Sequence, residues 1–569
     1  MPTATDSNTL QRGFVTVRGA FGTRQVHYRR GGRGPVVVLL HQSPQSSREM
    51  EPLIEAWGHA FTLIAPDSPG YGFSEPMQRG GQPVASASME DFAAATLEFA
   101  DALGLGRFGI YGFHTGASIG VALAEARPDR VAAVAANGLV VLTEAEREAI
   151  LRDYLPPIVP RWDGGHLAWL WARMREQVIF FPWHDRRAAT RMDFDVPPAD
   201  RLQFGLVEFL GAGDHYPVAY AAAFADRAER RLPAMRVPLL VTAQSRDPLA
   251  GHLARIGARS ASVRVEPSAD TAAALGRAFA HLQAHPGDPA PPAAGPAGRG
   301  TGDSIPGSGP VGSAYCGASR RQIRFIRRSA RDPGRPPAGV PLVLLLHAPG
   351  SSAAALGSLA GDIAASADVL APDLPGHGAS DPPPVTIEPG ATLDGVVAQL
   401  AVALAPVVAT ARTIVVVAVG AGAPVAIELA SRLGPGAGVV LLEPRSWSAA
   451  DTDGWLRAGL PGLTPVWHGG HLLEAWHMVR DGRLFSPWFR REHAGIRPGE
   501  PDLDDRRIQR DVGDLLRANG TWQALLRDVL TYHGRSSGTG AARIIELAAA
   551  PASWANVLAQ AADRRPAAS

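Results

Sequence analysis

A histidine stands at residue 114, at the centre of the run Gly112-Phe113-His114-Thr115-Gly116. An apolar stretch precedes it and an alanine-rich stretch follows, so the run reads as a tight turn from a strand into a helix. Imidazole is a competent nucleophile towards activated acyl groups and equally a general base for water. Further along, His166 and Arg175 lie nine residues apart in a tryptophan-rich stretch, on roughly the same half of any helix it forms. His166 has the chemistry of a second base or acid, and Arg175 that of a bidentate ligand for carboxylate or phosphate. The bland reading of the same stretch is Gly-Gly-His at a helix start, tryptophans in a core, and Arg175 as an ion-pair partner.

Other chemistries are excluded or weak. All 55 basic residues are arginine, which rules out Schiff bases, pyridoxal phosphate attachment and a phosphate-loop lysine. The single cysteine, Cys316, allows neither an intramolecular disulfide nor a cysteine zinc site. His41, His114 and His166 show no metal-ligand spacing, so no metal is expected. Gly420-x-Gly422 with Glu443 imitates a dinucleotide fingerprint, but Val425 occupies the third glycine position, so no cofactor is expected. Net charge is +1, which gives no footprint for nucleic acid or anionic lipid. The longest apolar stretch, 413–427, is too short to span a bilayer and reads as a strand running into a helix. No secretory signal is read at the N-terminus, and a cytoplasmic location is expected.

The elements that position these residues occur twice. PDSPGYGFSEP at 66–76 returns as PDLPGHGASDP at 372–382, an offset of 306 residues that His41 and His347 share. Residues 160–183 return at 465–488 with an offset of 305, keeping Pro160, Trp162, Gly164, Gly165, His166, Leu167, Trp171, Arg175, Phe180, Pro182 and Trp183. This is a tandem duplication. The expected organisation is a first domain over 13–285, a Pro/Gly/Ser-rich linker over 286–319 and a shorter, degenerate second domain over 320–569. Continuous apolar runs between alanine-rich stretches predict mostly parallel sheets with helices on both faces. Helical insertions are expected at about 140–232 and 446–538.

The ordered landmarks resemble the α/β-hydrolase superfamily. They are His41-x-x-Pro44 after one strand, Pro66-Asp-x-Pro-Gly-x-Gly-x-Ser74 after a second, the small-x-x-x-small turn after a third, and Asp247 after a late one. The helical insertion is similar to the cap of the epoxide-hydrolase, haloalkane-dehalogenase and C–C hydrolase branch. The resemblance implies two tandem α/β-hydrolase domains in which His114 occupies the nucleophile position of the first and Gly420 that of the second. It implies Asp247 as the acid, the Ser43 and Thr115 N–H groups as the oxyanion hole, and His41 as a structural histidine beside it. It also implies a catalytic histidine near 268–272, where the chain reads SADTA, and glycine where Gln42 stands.

The expected function is hydrolysis of a small, largely apolar or aromatic ester, lactone or C–C bond substrate. His114, Asp247 and His166 are the catalytic candidates, and His41, Gln42, Trp162 and Arg175 the substrate-binding ones. The alternatives are a non-catalytic protein that binds a ligand or partner, and a lyase or cofactor-free oxygenase on the same fold. The second copy is expected to pack on the first as the partner in a pseudo-dimer.

Overall fold

In the computed structural model the chain forms two compact units, Met1–Ala293 with Pro465–Gly469, and Ala294–Thr464 with Gly470–Ser569. The structure describes residues 10–193, 195–292, 311–328, 341–383, 390–409, 411, 413–434, 436–533 and 543–563.

The strands of the first unit are β1 (Gln11–Gly19), β2 (Gly22–Gly32), β3 (Val36–Leu40), β4 (Thr62–Pro66), the short pair β5 (Gln78–Arg79) and β6 (Gln82–Pro83), β7 (Phe108–Phe113), β8 (Val131–Asn137), β9 (Leu239–Thr242) and β10 (Val263–Val265). Helices α1 (Glu51–Trp57), α2 (Met89–Ala102) and α3 (Thr115–Ala126) connect them. The interval between β8 and β9 holds α4 (Glu144–Asp153), α5 (Gly165–Glu176), α6 (Ala199–Ala212) and α7 (Tyr216–Ala225), and α8 (Thr271–Ala284) follows β10. Eight strands make one sheet in the order β1-β2-β4-β3-β7-β8-β9-β10. The β1–β2 and β2–β4 pairings are antiparallel and the others parallel. Every residue of β3, β4 and β8 is buried, which is why these strands read as unbroken apolar runs. Val37, Leu39, Trp57, Phe61, Leu63 and Leu282 form one core cluster against α1 and α8. A second, aromatic cluster of Tyr154, Trp183 and Phe224 holds the helical insertion together.

The second unit repeats the plan with β11 (Val311–Cys316), β12 (Ile323–Arg328), β13 (Leu342–Leu346), β14 (Asp368–Pro372), β15 (Ile414–Val419), β16 (Ala437–Leu442) and β17 (Ile544–Leu547). Its helices are α9 (Gly357–Ala364), α10 (Ala391–Val408), α11 (Ala423–Leu433), α12 (Ala449–Gly454), α13 (Gly470–Asp481), α14 (Asp505–Arg517), α15 (Thr521–Leu530) and α16 (Trp554–Ala562). The order β11-β12-β14-β13-β15-β16-β17 matches the first sheet with the strand equivalent to β10 missing among the described residues. Helix α10 is long and apolar enough to cross a membrane, yet it packs on α11 and α15 and buries Leu393, Val397, Leu400 and Leu404.

The linker expected over 286–319 needs correcting at both ends. Asp288 belongs to the first unit: its carbonyl accepts from Val36 N and its carboxylate from Arg107 N. Residues Val311–Cys316 form a strand, paired antiparallel and in register with Ile323–Arg328. Residues 293–310 of that linker lie outside the described residues.

One buried carboxylate fixes the loop after β4. Asp67 accepts from Ser47 N at 2.8 Å, Phe73 N at 2.8 Å and the His27 ring at 2.8 Å, and also from the Ser47 hydroxyl. Asp373 repeats this with Ala353 N and Ala379 N, and there Arg324 supplies the cation. Burial opposes the charge on Asp67, but His27, Arg29 and the amides outweigh it and hold the carboxyl well below its usual range. Such a group stabilises the fold above the unfolded carboxyl range near ~4 and loses that contribution as pH falls below it. Asp67→Ala is expected to cost about 3–5 kcal/mol in denaturant unfolding at neutral pH, and less below about pH 4.

Candidate functional site

Strand β7 ends at Phe113 and helix α3 starts at Thr115, so His114 alone makes the turn, at φ 48° and ψ −107°. A non-glycine residue in that region is strained and persists only when its surroundings hold it. Here Asn137 O accepts the His114 amide at 2.9 Å, and the His114 carbonyl accepts from Ala117 N and Ser118 N. The flanking glycine is a steric requirement: a Cβ on Gly116 would collide with the carbonyl of Leu40 on β3. Gly420 repeats the turn in the second unit at φ 56°, without a side chain.

The His114 ring lies against that of Phe113, tilted by 31° with centroids 4.1 Å apart. Its Nε2 lies 3.0 Å from Asp247 Oδ2, and Asp247 Oδ1 accepts from Leu249 N at 2.8 Å. The imidazole is 21% exposed and the carboxylate only 4%, so the ring can be reached while its partner is shielded. Burial pushes Asp247 towards neutrality, but the His114 ring and the Leu249 amide overcome it and lower the carboxyl below its ordinary value. An ionised carboxylate accepts, so Nε2 carries a proton, and in the neutral ring Nδ1 has the lone pair.

This pair opens onto a cavity of about 820 Å³, lined by Phe113, Val140, Tyr154, Phe181, Tyr220 and Phe224 among others. Gln42, Ser43 and Thr115 line it as well. Ser43 N donates to the Thr115 hydroxyl at 3.3 Å, so one expected oxyanion donor is engaged by a side chain a substrate oxygen must displace. Thr115→Ala therefore frees that donor. Steady-state kinetics on an activated ester are expected to show kcat/KM unchanged or raised by up to about fivefold, the worth of one hydrogen bond.

The other candidates lie elsewhere. His41 is buried, with Nδ1 donating to Gln42 O at 2.8 Å and Nε2 accepting from Ser68 N at 2.9 Å. His347 makes both contacts in the second unit, with Ala348 O and Leu374 N. His166 is buried at the start of α5, where Nδ1 accepts from Arg161 N at 3.1 Å, and it does not line the cavity. Trp162 is 69% exposed and also outside it. The Arg175 guanidinium lies 4.5 Å from the ring centroid of Trp467, in the segment Pro465–Gly469 of the first unit. The residues kept in the repeated tryptophan-rich motif thus hold a helix start and its packing. Ser268 stands where the family histidine was expected, its hydroxyl 2.9 Å from that of Thr242. His281 is buried, with Nε2 3.3 Å from Pro238 O.

A cavity-lining residue escaped the sequence reading. Glu49, in the 3-10 turn Ser47–Met50, accepts from Gln42 Nε2 at 2.5 Å and Gln42 N at 3.1 Å. Burial raises its carboxyl to about 7 against the opposing pull of Gln42 and His114. The departure from glycine at position 42 was the available signal.

A model of the alpha/beta hydrolase fold matches residues 35–165, and one of the alpha/beta hydrolase family matches 343–567. Between them the two matches take in more than half of the chain. The chain belongs to the α/β-hydrolase fold family. Among curated relatives, this tandem α/β-hydrolase is similar to the (E)-2-((N-methylformamido)methylene)succinate hydrolase of Acinetobacter baylyi, with 31% identity over 130 residues. That match takes in 23% of this chain and 47% of the relative. Haloalkane dehalogenase 2 of Mycobacterium tuberculosis is 34% identical over 123 residues, 22% of this chain and 40% of that protein. The soluble epoxide hydrolase of a Corynebacterium species is 28% identical over 190 residues, 31% and 58% respectively. The chain thus spans less than half the length of the first two relatives. Two of the three are hydrolases by name and the third is a dehalogenase.

Proposed function

We propose that the first copy hydrolyses a small, largely apolar or aromatic ester, lactone or C–C bond substrate, with His114 in place of the usual nucleophile. The observation that carries this is the 3.0 Å contact between His114 and Asp247 at the mouth of the elbow, facing a cavity lined by aromatic rings. A volume of about 820 Å³ suits a small organic molecule. For an ester, His114 Nδ1 takes a proton from water as the water oxygen attacks the carbonyl carbon. Asp247 steadies the imidazolium through Nε2–H, and the Ser43 and Thr115 amides receive the developing oxyanion. The helices between β8 and β9 act as the cap that keeps bulk water out. The second copy, with Gly420 at its elbow and no acid near Ala552, has no comparable pair and serves as the structural partner of the first.

The test is turnover of nitrophenyl esters and aryl lactones by the purified chain, compared with its His114→Ala variant. Measurable wild-type hydrolysis that the variant loses supports the reading.

One observation favours a second reading. Ser268, held by Thr242, replaces the histidine a standard site requires, which fits a protein that binds its ligand without turning it over. That reading expects no turnover across the panel and a ligand-induced rise in melting temperature. Lyase or cofactor-free oxygenase chemistry would keep His114 as base and release products other than an acid and an alcohol.

A further inference from the structure

The duplication provides an internal comparison. Residues with structural work keep their counterparts: His41 and His347, Asp67 and Asp373, each with equivalent backbone partners. In the second copy Gln42, Glu49 and His114 are replaced together, by Ala348, Ala355 and Gly420 at the same offset, and the acid near Ala552 is gone. In the first copy these lost side chains converge on one cavity. Two hydrogen bonds from Gln42 hold a carboxyl that lines that space: the side-chain amide donates to Glu49 Oε1 and the backbone amide to Oε2. A glycine at 42 would leave the carboxyl held on one side only.

On the hydrolytic reading above, we propose that Glu49 is the general acid of this site and that Gln42 is the residue that positions it. Water adds to the ester carbonyl as His114 Nδ1 removes its proton. As the tetrahedral intermediate collapses, the bond from carbon to the leaving oxygen breaks and Glu49 gives that oxygen its proton. The Glu49 carboxylate then takes the proton held on the His114 imidazolium. Both groups return to their starting states, and water is the only co-reactant.

The surroundings suit that duty. His114 faces Glu49 from the elbow and Glu208 from α6, while Tyr111 on β7 feels its charge. On its own segment Arg48 is drawn over the Phe204 ring and Glu51 is bonded to Arg29. Burial keeps the carboxyl protonated up to about 7, where an acid can both hold and release a proton near neutrality.

The experiment compares the ethyl and 4-nitrophenyl esters of butyric acid across pH for the wild type, Glu49→Gln and Gln42→Ala. Nitrophenolate leaves without a proton and ethoxide does not. Glu49→Gln is therefore expected to lower the ratio of ethyl to nitrophenyl kcat at least about thirtyfold. The wild-type ethyl-ester rate is expected to fall as pH rises through about 7, a limb absent from Glu49→Gln. Gln42→Ala moves that limb to higher pH, because its side-chain hydrogen bond favours the carboxylate. An unchanged ratio in Glu49→Gln, or an alkaline limb that persists in it, overturns the assignment alone. A wild type inert towards both esters overturns the hydrolytic reading and this one with it.

Discussion

His114→Ala is expected to lower kcat/KM for an activated ester on the order of a thousandfold, and no less than about a hundredfold, while the chain stays folded. Among the described residues lining the cavity, the imidazole is the one base bonded to a carboxylate, and alanine leaves Asp247 with nothing to orient. Its replacement also separates activity from stability. The backbone at His114 lies at φ 48°, a conformation that costs a side-chain-bearing residue of order 1 kcal/mol and glycine almost nothing. His114→Gly should therefore abolish turnover as thoroughly as alanine and raise unfolding free energy by about 1 kcal/mol in a denaturant titration. The second copy already shows the turn with glycine, at φ 56°. A loss of stability on His114→Gly would mean that the ring, rather than the cavity it faces, is what the elbow is built for.

The second large effect is expected at the acid. Asp247→Asn keeps the size of the side chain and an acceptor for Leu249 N, but removes the charge that holds Nε2–H and stabilises the imidazolium. The amide can present its NH2 group to the ring and reverse the tautomer, leaving no lone pair at Nδ1. A fall in kcat on the order of a hundredfold is expected, with KM changed by less than about threefold because Asp247 is nearly inaccessible to substrate. An effect on KM alone would place Asp247 in binding.

The two domains and their mostly parallel sheets were legible in the sequence because duplicated motifs and unbroken apolar runs are local signals. The elbow was legible for the same reason: Gly112 and Gly116 bracket His114, and the steric demand at Gly116 is written in its residue type. Asp247 followed from its place after β9. What the sequence did not reveal was direction. Helical spacing puts His166 and Arg175 on related faces of α5, but only the packed structure shows Met174, Gln177 and Val178 lining the cavity instead. The repetition of His166 and Trp162 at 471 and 467 recorded helix-start geometry, which both copies need. Glu49 stayed hidden because its setting depends on Gln42 in its own loop and on His114 in a distant segment.

The most direct test of the His114–Asp247 couple is a double-mutant cycle in kcat/KM on one activated ester, using His114→Ala, Asp247→Asn and the pair together. If the two residues act as one unit, the double variant is no slower than His114→Ala alone, and the coupling equals nearly the whole effect of Asp247→Asn. Additive losses, or full activity in His114→Ala, would contradict the account.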